Sequence, residues 1–466
     1  MLFSSISFLY YFLPVVLICY FILPFRLKNV CLLLFSLVFY FYGEPVYTFL
    51  MLGSTLWAYV HGRLIEKHRE TPLAKVFLWS SVSGSLLALG FFKYADFFIG
   101  NVNAIVGSNI PLLKLALPIG ISFYTFQTLS YTIDVYRGET PAQKSYVKLA
   151  TYVALFPQLI AGPIVRYTTV AEELEERKHS FENFAVGIRR FAVGLGKKVL
   201  IADILGAFAT AVHTMPNPSV AGYWLYAVAV SLQLYFDFSG YSDMAIGLGR
   251  IFGFHFLENF NYPFISKSVA EFWRRWHISL GSWFRDYVYI PLGGNRVSTL
   301  YWLRNIAVVW FLTGFWHGAD WTFIIWGLYF AVFLVLEKFW YNRVFIHLPK
   351  FLSHIYVTLV ILVSFVIFNG NGVGGMFRDL GNMFFAGGLP LWTSETGYYL
   401  RSFGTPLIFG LVGATPLVKV AVERIRKSRN SWALDMLEPV FLVVILLMAT
   451  AYFVDGSFSP FLYFRF

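Results

Sequence analysis

The residues Phe311-Leu-Thr-Gly-Phe-Trp-His-Gly-Ala-Asp-Trp321 set one histidine, His317, between two apolar half-helices too short to be ordinary membrane spans. An ionisable side chain at membrane depth is costly to place and marks a candidate site by default. The chain holds 9 histidines, and most of the others lie near predicted span ends or in charged loops. A histidine in a polar tunnel has the chemistry of a general base for a reacting hydroxyl. As a core residue it would need a partner, and Asp320 or a backbone carbonyl is within sequence reach.

A second constellation lies upstream. Tyr235-Phe-Asp-Phe-Ser-Gly-Tyr-Ser-Asp-Met244 places Asp237 and Asp243 among aromatics at the end of a predicted span, as orienting carboxylates or as helix caps. It is followed by Glu271-Phe-Trp-Arg-Arg-Trp-His-Ile-Ser-Leu-Gly-Ser-Trp-Phe-Arg-Asp286. This segment interleaves Arg274, Arg275 and Arg285 with Trp273, Trp276 and Trp283. It reads in two ways: an interfacial amphipathic helix with tryptophans at headgroup level, or a surface for an anionic, planar ligand. His277 within it is an interfacial hydrogen-bonder or a second site histidine.

Other chemistries find little support. The histidines are far apart, and no HxxxH, HExxH or CxxC spacing points to a metal. Gly194-Leu-Gly-Lys-Lys198 has only part of a phosphate-loop pattern. No GxSxG elbow offers a serine nucleophile. Cys19 and Cys31 fall in the first two predicted spans and read as apolar fillers.

The composition sets the solvent for these residues. Of 466 residues, 58% are hydrophobic, 20% aromatic and 13% charged, and the mean hydropathy is +0.63. A soluble domain carries about 25% charged residues, so this chain lacks the polar surface to dissolve in water. In lipid the backbone must satisfy itself, which leaves helices or closed barrels, and apolar runs of about 15–22 residues select helices. The run from Ser5 to Phe25 lacks a basic lead and a small-residue cleavage site, so it reads as a retained helix. The formal charge of +11 is read as topology-setting loops and contacts with anionic lipid rather than nucleic-acid binding.

Lys and Arg cluster at Arg26/Lys28, Arg63–Lys75, Arg137–Lys148, Arg166–Lys198, Lys267–Arg304, Lys338/Arg343/Lys350 and Arg424–Arg429. Held on the cytoplasmic side, these loops predict crossings near 5–24, 29–43, 46–61, 76–92, 115–133, 199–216, 222–238, 351–369, 404–421 and 436–453, with both termini outside. Two apolar segments have cytoplasmic flanks on both sides. The segment 149–165, broken by Pro157, Gly162 and Pro163, reads as re-entrant, and 304–337 reads as a helical hairpin broken at Trp316–Asp320. About thirteen helical residues from Arg304 rise roughly 20 Å, which places His317 within the bilayer. The expectation is one all-α polytopic membrane domain over 1–466, with about 10–12 transmembrane helices and re-entrant segments around a central tunnel. Extramembrane mass lies in 166–198 and in the cytoplasmic or interfacial stretch 239–303, and the external 370–403 reads as a mobile loop opening on a glycine run.

Several long motifs in order resemble the membrane-bound O-acyltransferase family, particularly its bacterial polysaccharide O-acetyltransferase branch. They are Leu117-Pro-Ile-Gly-Ile-Ser-Phe-Tyr-Thr-Phe-Gln127, Tyr131-Thr-Ile-Asp-Val-Tyr-Arg137 and Phe156-Pro-Gln-Leu-Ile-Ala-Gly-Pro163. Then follow Phe236–Asp243, Asn261-Tyr-Pro-Phe264, Phe272–Leu280, Tyr289-Ile-Pro-Leu-Gly-Gly-Asn295, Phe315-Trp-His-Gly318 and the aromatic tail Pro460–Phe466. The resemblance covers nearly the whole chain.

It implies acyl transfer from cytoplasmic acetyl-CoA, a donor substrate rather than a bound cofactor, to an external polysaccharide such as alginate. It also implies a multi-pass protein of the bacterial inner membrane and an extracytoplasmic acetyltransferase partner. His317 maps to the family's catalytic histidine and His277 to its second. Arg274, Arg275, Trp273, Trp276, Asp237, Asp243 and Asn261 stand as expected substrate-binding positions. The competing expectation is a transporter or flippase of a polysaccharide precursor or acyl group; those folds usually carry paired inverted repeats, and none is seen here.

Overall fold

A computed structural model describes residues 1–160, 162–341, 349–428, 431–456 and 461. Ala161, Arg343, Arg429 and the tail from Pro460, Phe461 excepted, lie outside the described residues. All regular structure among the described residues is helical, as the apolar composition requires. Four helices are long and apolar enough to cross a membrane: Leu73–Val106, Trp321–Trp340, Lys350–Phe368 and Ser431–Val454. The pair Gly404–Gly413 and Leu417–Arg426, bent by 66°, makes a fifth if counted as one span. The expected straight crossing over 404–421 is therefore broken, at Ala414-Thr-Pro416, where proline cannot continue the hydrogen-bond ladder. The other expected crossings coincide with helices that are shorter or less apolar, Ser7–Ile22 among them.

The residues group into two compact units, Met1–Phe191 with Tyr241–Leu257, and Ala192–Gly240 with Glu258–Phe466. In the first unit, Pro45–Lys67, Leu73–Val106 and Ile121–Arg137 are the long helices. The expected break near Pro157 is present: Tyr146–Ala154 ends, and Phe156–Leu159 begins one residue later. Every residue from Leu149 to Ile160 is buried, so the interrupted backbone needs side-chain partners. Ser36 Oγ accepts from Phe156 N at 3.1 Å, and Gln158 Nε2 donates to Tyr152 O at 2.5 Å.

In the second unit, an antiparallel helical hairpin, Thr299–His317 and Trp321–Leu336, carries the sequence break anticipated at Trp316–Asp320. Its arms are not the short half-helices expected: the first has 19 residues, and the second, continued to Trp340, is long and apolar enough to span by itself. Its arms touch backbone to backbone through glycine. A Cβ on Gly314 would lie 2.3 Å from Phe323 O, and one on Gly327 would lie 2.3 Å from Trp310 O. Glu337, at the far end of the second arm, accepts from Val269 N and from Ala270 N. It thereby ties down the N-terminus of helix Val269–Arg275, where unsatisfied N–H groups and the helix dipole favour a carboxylate.

Three expectations are corrected. The Arg/Trp segment is not one amphipathic helix but two short ones, Val269–Arg275 and Ile278–Phe284, and Trp276 and Trp283 are buried rather than set out at a headgroup surface. Helix Val220–Phe252 runs well past residue 238, so Asp237 and Asp243 lie in a helix interior and cap nothing. The glycine run expected to open an external loop does not do so. Gly372–Met383 is helical, with Met376, Asp379 and Met383 buried at spacings of three and four, and Asp379 Oδ2 meets His213 Nε2 at 3.0 Å. Five glycines among 369–381 hid that amphipathic period.

Gly327→Ala should force the hairpin arms apart and cost about 1–3 kcal/mol, read as a lower thermal unfolding midpoint of the detergent-solubilised protein. Gly53→Ala, where a Cβ meets nothing within 4 Å, should leave the midpoint unchanged or slightly raised.

Candidate active site

His317 is the last residue of its helix; the chain then runs extended through Gly318 before Asp320 caps the next helix. Asp320 Oδ1 accepts from Thr322 N and from Thr322 Oγ1, both at 2.8 Å, so the carboxylate expected to serve His317 is committed to the cap. Gly318 has no room for a side chain, since its Cβ would meet the Phe323 ring at 2.3 Å. The imidazole is 4% exposed and packed edge-on among rings. Trp316 lies 5.0 Å away between centroids, Trp326 4.9 Å and Phe368 5.3 Å. It borders an enclosed cavity of ≈ 20 Å³ whose wall includes Asp237, Phe238, Trp276 and Trp326. The cavity has the scale of one small group.

His277 is fixed by a different device. It sits between the two short helices at φ 45°, ψ 53°, a left-handed conformation that costs free energy for a residue with a Cβ. Asn259 holds it there. Asn259 Oδ1 receives the Ser279 N–H at 3.1 Å and the Ser279 hydroxyl at 2.9 Å, and lies 3.2 Å from His277 Nδ1. Asn259 O accepts from Ile278 N at 3.0 Å. Phe238 stands perpendicular to the imidazole at 4.6 Å, and Trp316 lies 6.0 Å away. The two histidines thus share Trp316 as a neighbour. Burial pushes the His277 pKa down to about 3, so the ring is neutral at physiological pH.

Beside His277 opens a larger pocket of ≈ 290 Å³, bordered by Trp273, Arg274, Arg285, Trp310 and Thr313. Arg274 is exposed at its rim. Arg275 turns away to Glu271 at 2.9 Å and to Asn261 O at 3.1 Å, so Arg275 and Asn261 brace the segment and neither borders the pocket. Trp276 stacks on Phe272 at 5.5 Å and faces the His317 cavity. Asp237 also borders that cavity and pairs with Lys198 at 2.7 Å, which bridges to Asp203 at 2.7 Å. Asp243 falls in the first unit, paired with Arg190 at 2.9 Å.

Sequence reasoning gave no role to Asn259, Lys198 or Trp326. Asn259 opens the stretch Asn259-Phe-Asn-Tyr-Pro-Phe264, of which only Asn261 was expected to bind substrate, and Lys198 lay within the discounted phosphate-loop fragment. Trp326 looks like one more apolar residue of a span and carries no signal of its own.

A model of the membrane-bound O-acyltransferase family matches residues 139–376, a range that contains both histidines. The chain is 39% identical to a probable alginate O-acetylase of Azotobacter vinelandii, with all of both chains covered. It is 33% identical to a peptidoglycan O-acetyltransferase of Helicobacter pylori, over 100% of this chain and 98% of that one. A teichoic acid D-alanyltransferase of Bacillus subtilis is 32% identical over 54% of this chain and 67% of its own. The chain belongs to the membrane-bound O-acyltransferase family. It is a multi-pass membrane protein and an O-acyltransferase.

The depressed pKa of His277 has a stability consequence with a definite sign. Between about pH 6.5 and about pH 3 the unfolded chain binds a proton at this position that the folded chain refuses, so stability falls as pH drops through that window. His277→Gln, which cannot titrate, should show a shallower fall in unfolding midpoint from pH 7 to pH 4 than the wild type.

Proposed function

We propose that this protein takes an acetyl group from acetyl-CoA on the cytoplasmic side of the bacterial inner membrane. It passes the group through its interior for O-acetylation of an extracytoplasmic polysaccharide such as alginate. The observation that carries the reading is the pairing of His317, beside an enclosed cavity of ≈ 20 Å³, with a larger pocket of ≈ 290 Å³ at His277 that Arg274 and Arg285 border. The pocket is large enough for the end of a thioester donor, and guanidinium groups suit its phosphates. The chain's similarity to a probable alginate O-acetylase and to a peptidoglycan O-acetyltransferase supports an extracytoplasmic polymer as acceptor.

In this mechanism His317 takes the proton of an acceptor hydroxyl as its oxygen attacks the thioester carbonyl carbon. The tetrahedral adduct collapses with cleavage of the C–S bond, and the departing thiolate recovers the proton from His317. His277, neutral and locked by Asn259, orients the donor. Asp237, paired with Lys198, sets the polar side of the cavity. A separate extracytoplasmic acetyltransferase completes delivery to the polymer, and both chain termini lie on that side.

His317→Ala should lower acetyl transfer at least about 100-fold with normal membrane insertion, measured as acetyl content of the polysaccharide and as turnover of labelled acetyl-CoA. Retained transfer would overturn the general-base role. Arg274→Ala should raise KM for acetyl-CoA about tenfold with kcat little changed, the loss of one charge-assisted contact.

A further inference from the structure

Acyl transfer through a tetrahedral adduct needs a hydrogen-bond donor where the carbonyl oxygen becomes negative, and none of the residues assigned above supplies one. One residue of the His317 cavity wall carries a candidate donor. Trp326, from the second arm of the hairpin, is 1% exposed and borders the cavity, with its ring 4.9 Å from His317 at 85°. Its Nε1 is buried and finds no acceptor among the described residues. A buried indole N–H normally has a partner, and leaving one unmade is destabilising. The Trp273 indole is in the same condition, but it borders the ≈ 290 Å³ pocket at His277 and not the cavity at His317.

The surroundings hold Trp326 still. Its ring meets Trp273 at 5.6 Å, Phe330 at 5.3 Å and Phe368 at 5.1 Å. The adjacent Gly327 lets the hairpin arms close to backbone contact. A donor on such an element needs no reorganisation when charge develops, which is the condition for effective oxyanion stabilisation.

We propose that Trp326 is a catalytic residue whose indole N–H donates to the thioester carbonyl oxygen of the acyl donor and, more strongly, to the oxyanion of the tetrahedral adduct. The assignment rests on the transferase reading with His317 as base. The acceptor oxygen forms its bond to the carbonyl carbon while its proton passes to His317, and the carbonyl π pair moves onto the oxygen facing Trp326. The pair returns as the C–S bond breaks, and the thiolate leaves with the proton from His317. Trp326 neither gains nor loses a proton.

The test replaces Trp326 with 3-benzothienylalanine, which keeps the bicyclic shape and puts sulfur where the N–H was, in the full-length protein in membranes. The expected result is a kcat for transfer from acetyl-CoA lowered about 100- to 1000-fold, with KM for acetyl-CoA little changed and the thermal unfolding midpoint unchanged or raised. A kcat within twofold of wild type overturns the proposal. Trp326→Phe, also without the N–H, should show the same kcat defect; full activity in that variant would equally overturn it. His317→Ala assayed in parallel separates the two ideas. If that variant is inactive while the benzothienyl protein is fully active, only the oxyanion assignment fails; if it transfers normally, the reading of the site fails with it.

Discussion

Backbone contact between the two arms of the hairpin sets the position of the candidate site residues in the second unit. Gly314 and Gly327 let helices Thr299–His317 and Trp321–Leu336 approach until a side chain on either would overlap a carbonyl of the other arm. Without a hydrophobic drive between helices in lipid, such close van der Waals packing is the main source of attraction. The consequence is geometric. His317 and Trp326 come from different arms, yet their rings stand 4.9 Å apart beside one small cavity.

The second constraint is how polar groups are kept at depth. A buried ionisable or strained residue persists only when its neighbours over-determine it. His277 has its left-handed backbone and its ring tied to Asn259 and Ser279. Asp237 has Lys198, whose side chain is itself 4% exposed and answered by a second carboxylate, Asp203. Glu337 has two backbone N–H groups of the helix that leads to His277. Each of these anchors joins segments distant in sequence, so the site is assembled by tertiary contacts around the hairpin.

Much of this was legible in the linear chain. Composition excluded a soluble fold, and the length of the apolar runs selected helices over a barrel. The break at Trp316–Asp320, the break at Pro157 and the candidacy of His317 and His277 came from single residues whose placement conflicted with a smooth apolar span. The failures have physical causes. Tryptophans and arginines interleaved over Glu271–Asp286 have the pattern of a surface helix, but Trp276 and Trp283 are buried against other rings, which no local pattern reveals. Glycines in 370–381 read as loop because propensity is a local quantity, while the helix there is paid for by burying Met376 and Met383.

Sequence by itself determined the solvent and the helical class and singled out His317 and His277 as candidates, because these depend on residue type and on periodicity along one chain. Only the tertiary structure decided which partners those histidines have. It gave the Asp320 carboxylate to Thr322, placed Asp237 at the cavity and Asp243 in the other unit with Arg190, and turned Trp326 from a span residue into the wall beside His317. Those outcomes depend on how helices pack and which way each side chain turns, and the spacing of side chains along a single helix carries no record of what lies opposite.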